Sequence, residues 1–272
     1  MLTYLLVQIY KDGQDDRFGR FASSVLARTL EYLVTAPQQN DSKLLHLLTK
    51  VLQSIQWATD CDPQLVKQSF GQISWAKALD PIVSRYFNQI ERPLQVLDDP
   101  DGKESADLLV VKQRYYTAKT LTILFRDFLN FIESPDALAP SIWSLSIQNL
   151  AYLQPHFQQR VLDHQTVQDY EQDLCFQSTI VQIESLMSTL CQVLPRPEYF
   201  AGDNEHVLYL LCSLCLLSSE TSQLLLEDKN AFLTAFLDES ADLMTSISIR
   251  VSTVELIEEC FLNADGYDRS IL

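Results

Sequence analysis

Cys212 and Cys215 stand three residues apart, a spacing that metal and thiol chemistry both use. A structural zinc site needs a second pair at matching spacing, and Cys61, Cys175, Cys191 and Cys260 do not supply one. A thioredoxin-like thiol pair follows a strand, whereas the run Leu211–Leu217 around these cysteines is Leu-rich and helical in composition. The six cysteines are therefore expected to be buried free thiols in a reducing compartment. The four histidines, His46, His156, His164 and His206, are scattered, with no H-E-x-x-H pair to hold a metal. No Gly-rich phosphate loop and no G-x-S-x-G elbow is present, and the calcium-loop spacing with its central Gly is missing. The residues predict neither a cofactor nor a catalytic site, and the chain is expected not to be an enzyme.

The remaining chemistry is acidic. Asp and Glu number 36 against 20 Lys and Arg, a formal net charge of −16. Such a field repels phosphate backbones, whose affinity for protein depends on Lys and Arg, and attracts basic proteins. The acids cluster at Asp98, Asp99, Asp101, Glu104 and Asp107, at Asp163, Asp169, Glu171 and Asp173, and at Asp238, Glu239 and Asp242. The last two groups are the candidate contacts for a basic partner, since converging carboxylates strengthen the pull on it. Acids in a first helical turn also stabilise the helix dipole, each by about 0.3–1 kcal/mol. Glu104 and Asp107 read that way, and for the other two clusters both readings stand.

Helices must position these acids. Gly is scarce at 6, and Leu, Gln, Glu and Lys, which lose little rotamer freedom in a helix, fill the chain. Three- and four-residue apolar steps predict helices over Phe18–Val34 and from Ser42 to about Ile55. Asp62-Pro63 and Asp80-Pro81 are expected to open two more, because Pro suits a first helical position. Further helices are predicted over Glu104–Ile132, after Pro135 and Pro140, and over Leu174–Leu194, Glu205–Leu217 and Thr245–Leu262. A short one falls near Ala231–Leu237, and Asp163–Asp173 reads as a polar connection. Trp57, Trp75 and Trp143 have apolar neighbours at helical steps and are expected in the core. Met1–Tyr10 lacks the basic start and cleavage site of a signal peptide, and the apolar run Val207–Leu217 falls short of the roughly 20 residues of a membrane span, so a soluble chain is expected.

The elements pair at about 40 to 60 residues per helix pair, without the tight motifs of ankyrin, tetratricopeptide or leucine-rich arrays. The expected fold is all-α: residues 1–272 as one α-solenoid segment of about four or five HEAT/armadillo-like helical hairpins, each burying its apolar side against the next. A compact helical bundle is the alternative architecture.

Two stretches resemble a known family. The loop Leu97-Asp98-Asp99-Pro100-Asp101-Gly102 before a long helix, followed by Leu121–Phe128 and Leu138–Trp143, is similar to segments of importin-β (karyopherin-β) receptors, the importin nine type above all. Glu227–Phe232, Phe236–Glu239 and Ile249-Arg250 resemble another segment of that family, where an acidic strip leads to an Arg that starts a helix. The likeness covers roughly residues 75 to 262. Leu224–Leu226 stand where the family usually has a Trp, and the amino-terminal region by which such receptors hold the Ran GTPase is not recognisable. Typical receptors are several times longer, so the chain reads as a middle segment or truncated product. The resemblance implies a nuclear import receptor, or a segment of one, that carries basic cargo such as histones or ribosomal proteins. It would contact nucleoporin Phe-Gly repeats and move between cytoplasm and nucleus. The alternative function is a helical-repeat scaffold subunit of a larger complex, binding one partner through an apolar strip.

Overall fold

In the computed structural model, residues 17–35, 41–59, 73–87, 106–159, 170–194, 204–232 and 241–262 are described, and among them there is no strand. The expected all-α class holds. The helices are α1 (Arg17–Thr35), α2 (Asp41–Thr59), α3 (Trp75–Tyr86), α4 (Ala106–Asp127), α5 (Pro135–Phe157), α6 (Tyr170–Val193), α7 (Asn204–Leu214), α8 (Ser219–Glu227) and α9 (Ala241–Ile257). A 3-10 turn, Leu129–Phe131, follows α4, and a π-helical turn, Glu258–Leu262, continues α9. None of these helices is long and apolar enough to cross a membrane.

The chain forms two compact units. The first holds α1 to α3 and residues 116–139; the second holds residues 106–115 and the helices from residue 140 onward. In the first, α1 packs on both α2 and α3. Leu26, Leu30 and Leu33 of α1 are buried, as are Leu45, Leu48, Val51 and Leu52 of α2. Leu47, which falls between the buried steps, is exposed. Arg85 of α3 donates to the Leu33 carbonyl at 2.8 Å, which gives a partner to one of the last-turn carbonyls that α1 cannot satisfy itself. Residues 120–125 of α4 are buried without a break, so this stretch is covered on every side.

Several predicted boundaries move. Pro81 was expected to open a helix and instead lies inside α3, which starts at Trp75. A helical Pro frees the carbonyl four residues back, here Lys77, and Lys77 and Asp80 lie on the exposed side where water can take that bond. The helix expected to run to Ile132 stops at Asp127. Phe128 leaves helical geometry at φ −128° and ψ 19°, and the tighter turn after it lets both Phe128 and Ile132 be buried. Helix α5 starts at Pro135 itself, so Pro140, expected to lie at its start, sits within it, as does Pro155, both at exposed positions. Helix α6 begins at Tyr170, inside the stretch read as a polar connection. The elements that would follow Asp62-Pro63, and residues 233–237, lie outside the described residues.

Helix α8 was not expected at all. Ser218 caps it, its Oγ accepting from the Thr221 N–H at 3.1 Å. Ser218→Ala should lower the unfolding free energy by about 1 kcal/mol, read as a shift in urea midpoint with the slope unchanged. An unchanged midpoint would mean that α8 adds nothing to the second unit.

Candidate functional site

The best-defined polar set lies in the second unit, along the seam where α6 packs on α9. Two side-chain pairs cross it. Glu184 is hydrogen-bonded to Thr253, and the Cys191 and Cys260 sulfurs stand 3.4 Å apart. Both pairs are 69 residues apart in sequence, and the second lies seven residues further along each helix. Equal offsets at two levels mean that α6 and α9 run in the same direction. At the same offset, Ile180 falls level with Ile249 and Met187 with Leu256, and all four are buried. The seam thus advances by four, three and four residues on both helices, the spacing of a parallel heptad interface. Two of its four rungs are polar.

Glu184 is completely buried. Burial pushes its carboxyl well above the usual carboxylate range, and the hydrogen bond with Thr253 opposes this less strongly. The bonding pattern agrees with a protonated acid. The Thr253 Oγ1 also lies 2.7 Å from the Ile249 carbonyl, which can only accept. A hydroxyl has one proton, so Thr253 must share it between the Ile249 carbonyl and the Glu184 carboxyl unless the carboxyl carries a proton of its own, which burial favours. The Glu184 Oε2 has no hydrogen-bond partner among the described residues. A neutral carboxyl with one idle oxygen is far less costly there than an unpaired charge.

Cys215 lies close enough to feel this rung. Burial first, then Glu184 and Cys212, push its thiol up to about 11, with Arg250 pulling the other way. Such a thiol keeps its proton at neutral pH and reacts slowly as a nucleophile. Arg250 donates through Nη2 and Nε to the Leu216 carbonyl, at 2.9 and 3.3 Å, tying α9 to the end of α7. The C-x-x-C pair closes α7 at its carboxyl end, where the Cys215 N–H donates to the Cys212 carbonyl at 3.1 Å. That end of a helix carries partial negative charge and disfavours a thiolate, unlike the amino end that activates redox cysteines. The expectation of uniformly buried thiols fails at Cys212, which is exposed, and at Cys175 and Cys215, which are half-buried; Cys61 lies outside the described residues.

His46 and His156 are held against aromatic rings and Arg114 is buried, while His206 of α7 is exposed. His46 stacks on Tyr116 in the first unit, ring centroids 4.6 Å apart. Partial burial, then Lys50 and Lys119, hold its pKa below the ordinary value, so it is neutral at pH 7. His156 of α5 meets Phe176 of α6 edge to face at 6.0 Å. Arg114 is buried, and burial draws its pKa down to about 10 against the opposing effect of Tyr152, which leaves it charged. Trp75 and Trp143 are core residues as expected, and the Trp57 side chain lies outside the described residues. Among the described residues no three His, Cys, Asp or Glu gather as metal ligands.

Of the predicted acidic contacts, Asp163, Asp169, Asp238 and Glu239 lie outside the described residues. Glu171 and Asp173 are in the first turn of α6, and Asp242 is in the first turn of α9; their side chains lie outside the described residues. Carried back by its offset, the α6/α9 register sets the backbone of Asp173 level with that of Asp242. Asp107 sits in the first turn of α4, as its helix-dipole role requires, and is buried rather than solvated.

Glu184 was missed by the sequence reading. Its signal was a lone acid on an apolar stripe, four residues after Ile180 and three before Met187. The partners on the other side of the seam, 69 residues away, left no local trace. Comparison with known proteins finds no family model, curated protein or solved structure that matches this chain.

Proposed function

We propose that this chain is a helical-repeat binding protein, a solenoid of stacked helical hairpins that holds basic protein partners through its acidic ends. The observation that carries the proposal is the α6/α9 register. It brings the amino ends of two parallel helices side by side, and these are the ends whose first turns hold Glu171 and Asp173 in α6 and Asp242 in α9. A recurring step supports the repeat. Within the first unit, Thr49 of α2 bonds Thr120 of α4 at a separation of 71 residues. Within the second, Thr179 of α6 lies 3.3 Å from the Val111 carbonyl at a separation of 68, and α6 meets α9 at 69. Within each unit, packed helices thus recur at steps of 68 to 71 residues, longer than the single helix pair of about 40 to 60 residues and so spanning more than one hairpin.

The transport form of this proposal is a nuclear import receptor, or a segment of one, shuttling between cytoplasm and nucleus with histone- or ribosomal-protein-like cargo. The net charge of −16 and the importin-β resemblance support it. A histone dimer titrated against the full chain should bind with an affinity that falls as salt rises, because screening weakens exposed charge pairs. Asp173→Lys with Asp242→Lys should weaken binding roughly tenfold, while Glu31→Lys in α1 leaves it near wild type. Flat affinity across the salt series would sink the acidic-end reading. Cargo release by Ran loaded with a GTP analogue separates a receptor carrying the full switch from a segment without it.

One observation favours the scaffold alternative. The second unit exposes Leu226 at 83%, Tyr209 at 72%, and Leu216, Val251 and Val254 at about half. A partner held by these would bind with little salt dependence and be lost in Leu226→Asp or Val254→Asp.

A further inference from the structure

We propose that Cys191 and Cys260 are a reversible oxidation site, closed by a hydroperoxide into a disulfide that staples the turn after α9 to α6. The geometry carries it. The two sulfurs already touch at 3.4 Å across the seam, and a disulfide needs about 2.05 Å, so they must close by only about 1.4 Å. Cys260 sits at the centre of the π-helical turn Glu258–Leu262. Such wide turns are irregular insertions in α-helix and frequently mark functional positions.

The two thiols are not equivalent. Cys191 is 7% exposed and Cys260 is 0% exposed, so a water-sized oxidant reaches Cys191 first. Burial and the contact with Cys191 hold the Cys260 thiol above its ordinary range, so the more accessible Cys191 is the one placed to react first. Cys191 therefore attacks hydrogen peroxide. The O–O bond breaks, Cys191 becomes a sulfenic acid, and one water leaves with the thiol proton. The Cys260 sulfur then displaces the hydroxyl from Cys191, and its proton departs with that hydroxyl as a second water. Two thiols lose two electrons, and peroxide gains them. A dithiol reductant reverses the step by exchange. The link joins residues 69 apart, so it strongly restricts the unfolded chain. It does not depend on what the chain binds.

The test is to expose the full native chain to excess hydrogen peroxide, block remaining thiols with N-ethylmaleimide in denaturant, and map unreduced peptides by mass. The expected product is one linked peptide containing Cys191 and Cys260, lighter by two hydrogens than its parts and released by dithiothreitol. The linked chain should melt roughly 5–10 °C higher than the reduced one. In Cys260→Ala the second step is lost, and dimedone should trap a sulfenic acid at Cys191. In Cys191→Ala no link to Cys260 should form. Both cysteines still carrying maleimide after peroxide would overturn the proposal, as would a link made through Cys212 or Cys215 instead. An oxidised chain with the right link and an unchanged melting point would overturn the staple.

Discussion

Glu184→Gln should make the second unit more stable than wild type at neutral pH, and the gain should grow as the pH rises. The sign follows from the direction of the carboxyl's shift. An unfolded Glu titrates near 4.3, whereas the buried Glu184 holds its proton to well above that value. Below about pH 4.3 both states are protonated, and the stability associated with this group is fully present. Between the unfolded and the raised folded value the unfolded chain binds fewer protons than the native one, so stability falls with pH. The contribution is lost as the pH climbs through the folded value.

Glutamine cannot ionise. Its Nε2 can donate to the Thr253 Oγ1 while Thr253 keeps its bond to Ile249, and its carbonyl inherits the place of the idle Oε2. The expected gain at neutral pH is about 1–3 kcal/mol, the usual scale for an ill-satisfied buried polar group. Urea titrations of both proteins at a series of pH values measure it. The wild-type midpoint should fall from pH 5 upward, and the variant's should stay closer to flat. Parallel pH profiles, or a variant less stable at pH 8, would mean that Glu184 is charged and served by a partner. A Glu184→Leu change tests the seam further. It removes the polar rung altogether, so any loss of a single register should appear as broadened spectra with stability retained.

Trp75→Ala should be the most damaging truncation in the first unit. Trp75 is fully buried at the start of α3, where Leu79, Ile82 and Phe87 are buried with it. Removing a buried indole forfeits its transfer free energy and leaves a cavity, typically about 3–5 kcal/mol. Total domain stability is about 5–15 kcal/mol, so the variant should be close to unfolding at 37 °C. Hydrogen exchange locates the effect: amides of α1, α2 and α3 should lose protection, because α1 packs on both of the others. Tyr209→Ala, at a site 72% exposed, should shift the midpoint by no more than about 0.5 kcal/mol. A Trp75→Ala loss below about 1 kcal/mol would show that the α3 packing described above is not what holds the unit.

Much of the fold was legible because helical burial is written at short range. Leu26, Leu30 and Leu33 in α1, or Ile142, Trp143 and Leu150 in α5, repeat at the period of one helix face, and each proved buried. Errors came where a local rule had a non-local answer. Pro81 reads as a helix start, yet solvent at Lys77 tolerates it inside α3. The stretch Ser219–Glu227 has three consecutive leucines and no clean period, and it became helical with Ser218 as its cap.

The candidate site divides the same way. Composition and periodicity alone established the acidity and the all-α class, since propensity, charge and period are properties of neighbouring residues, whereas the start of α9 at Ala241 rather than Thr245 was not legible. Tertiary structure alone decided that Glu184 faces Thr253 and Cys191 faces Cys260. Each pair spans 69 residues, and no local pattern encodes which helix another will run beside, or in which direction. That choice belongs to the packed seam, where four rungs must fit at once.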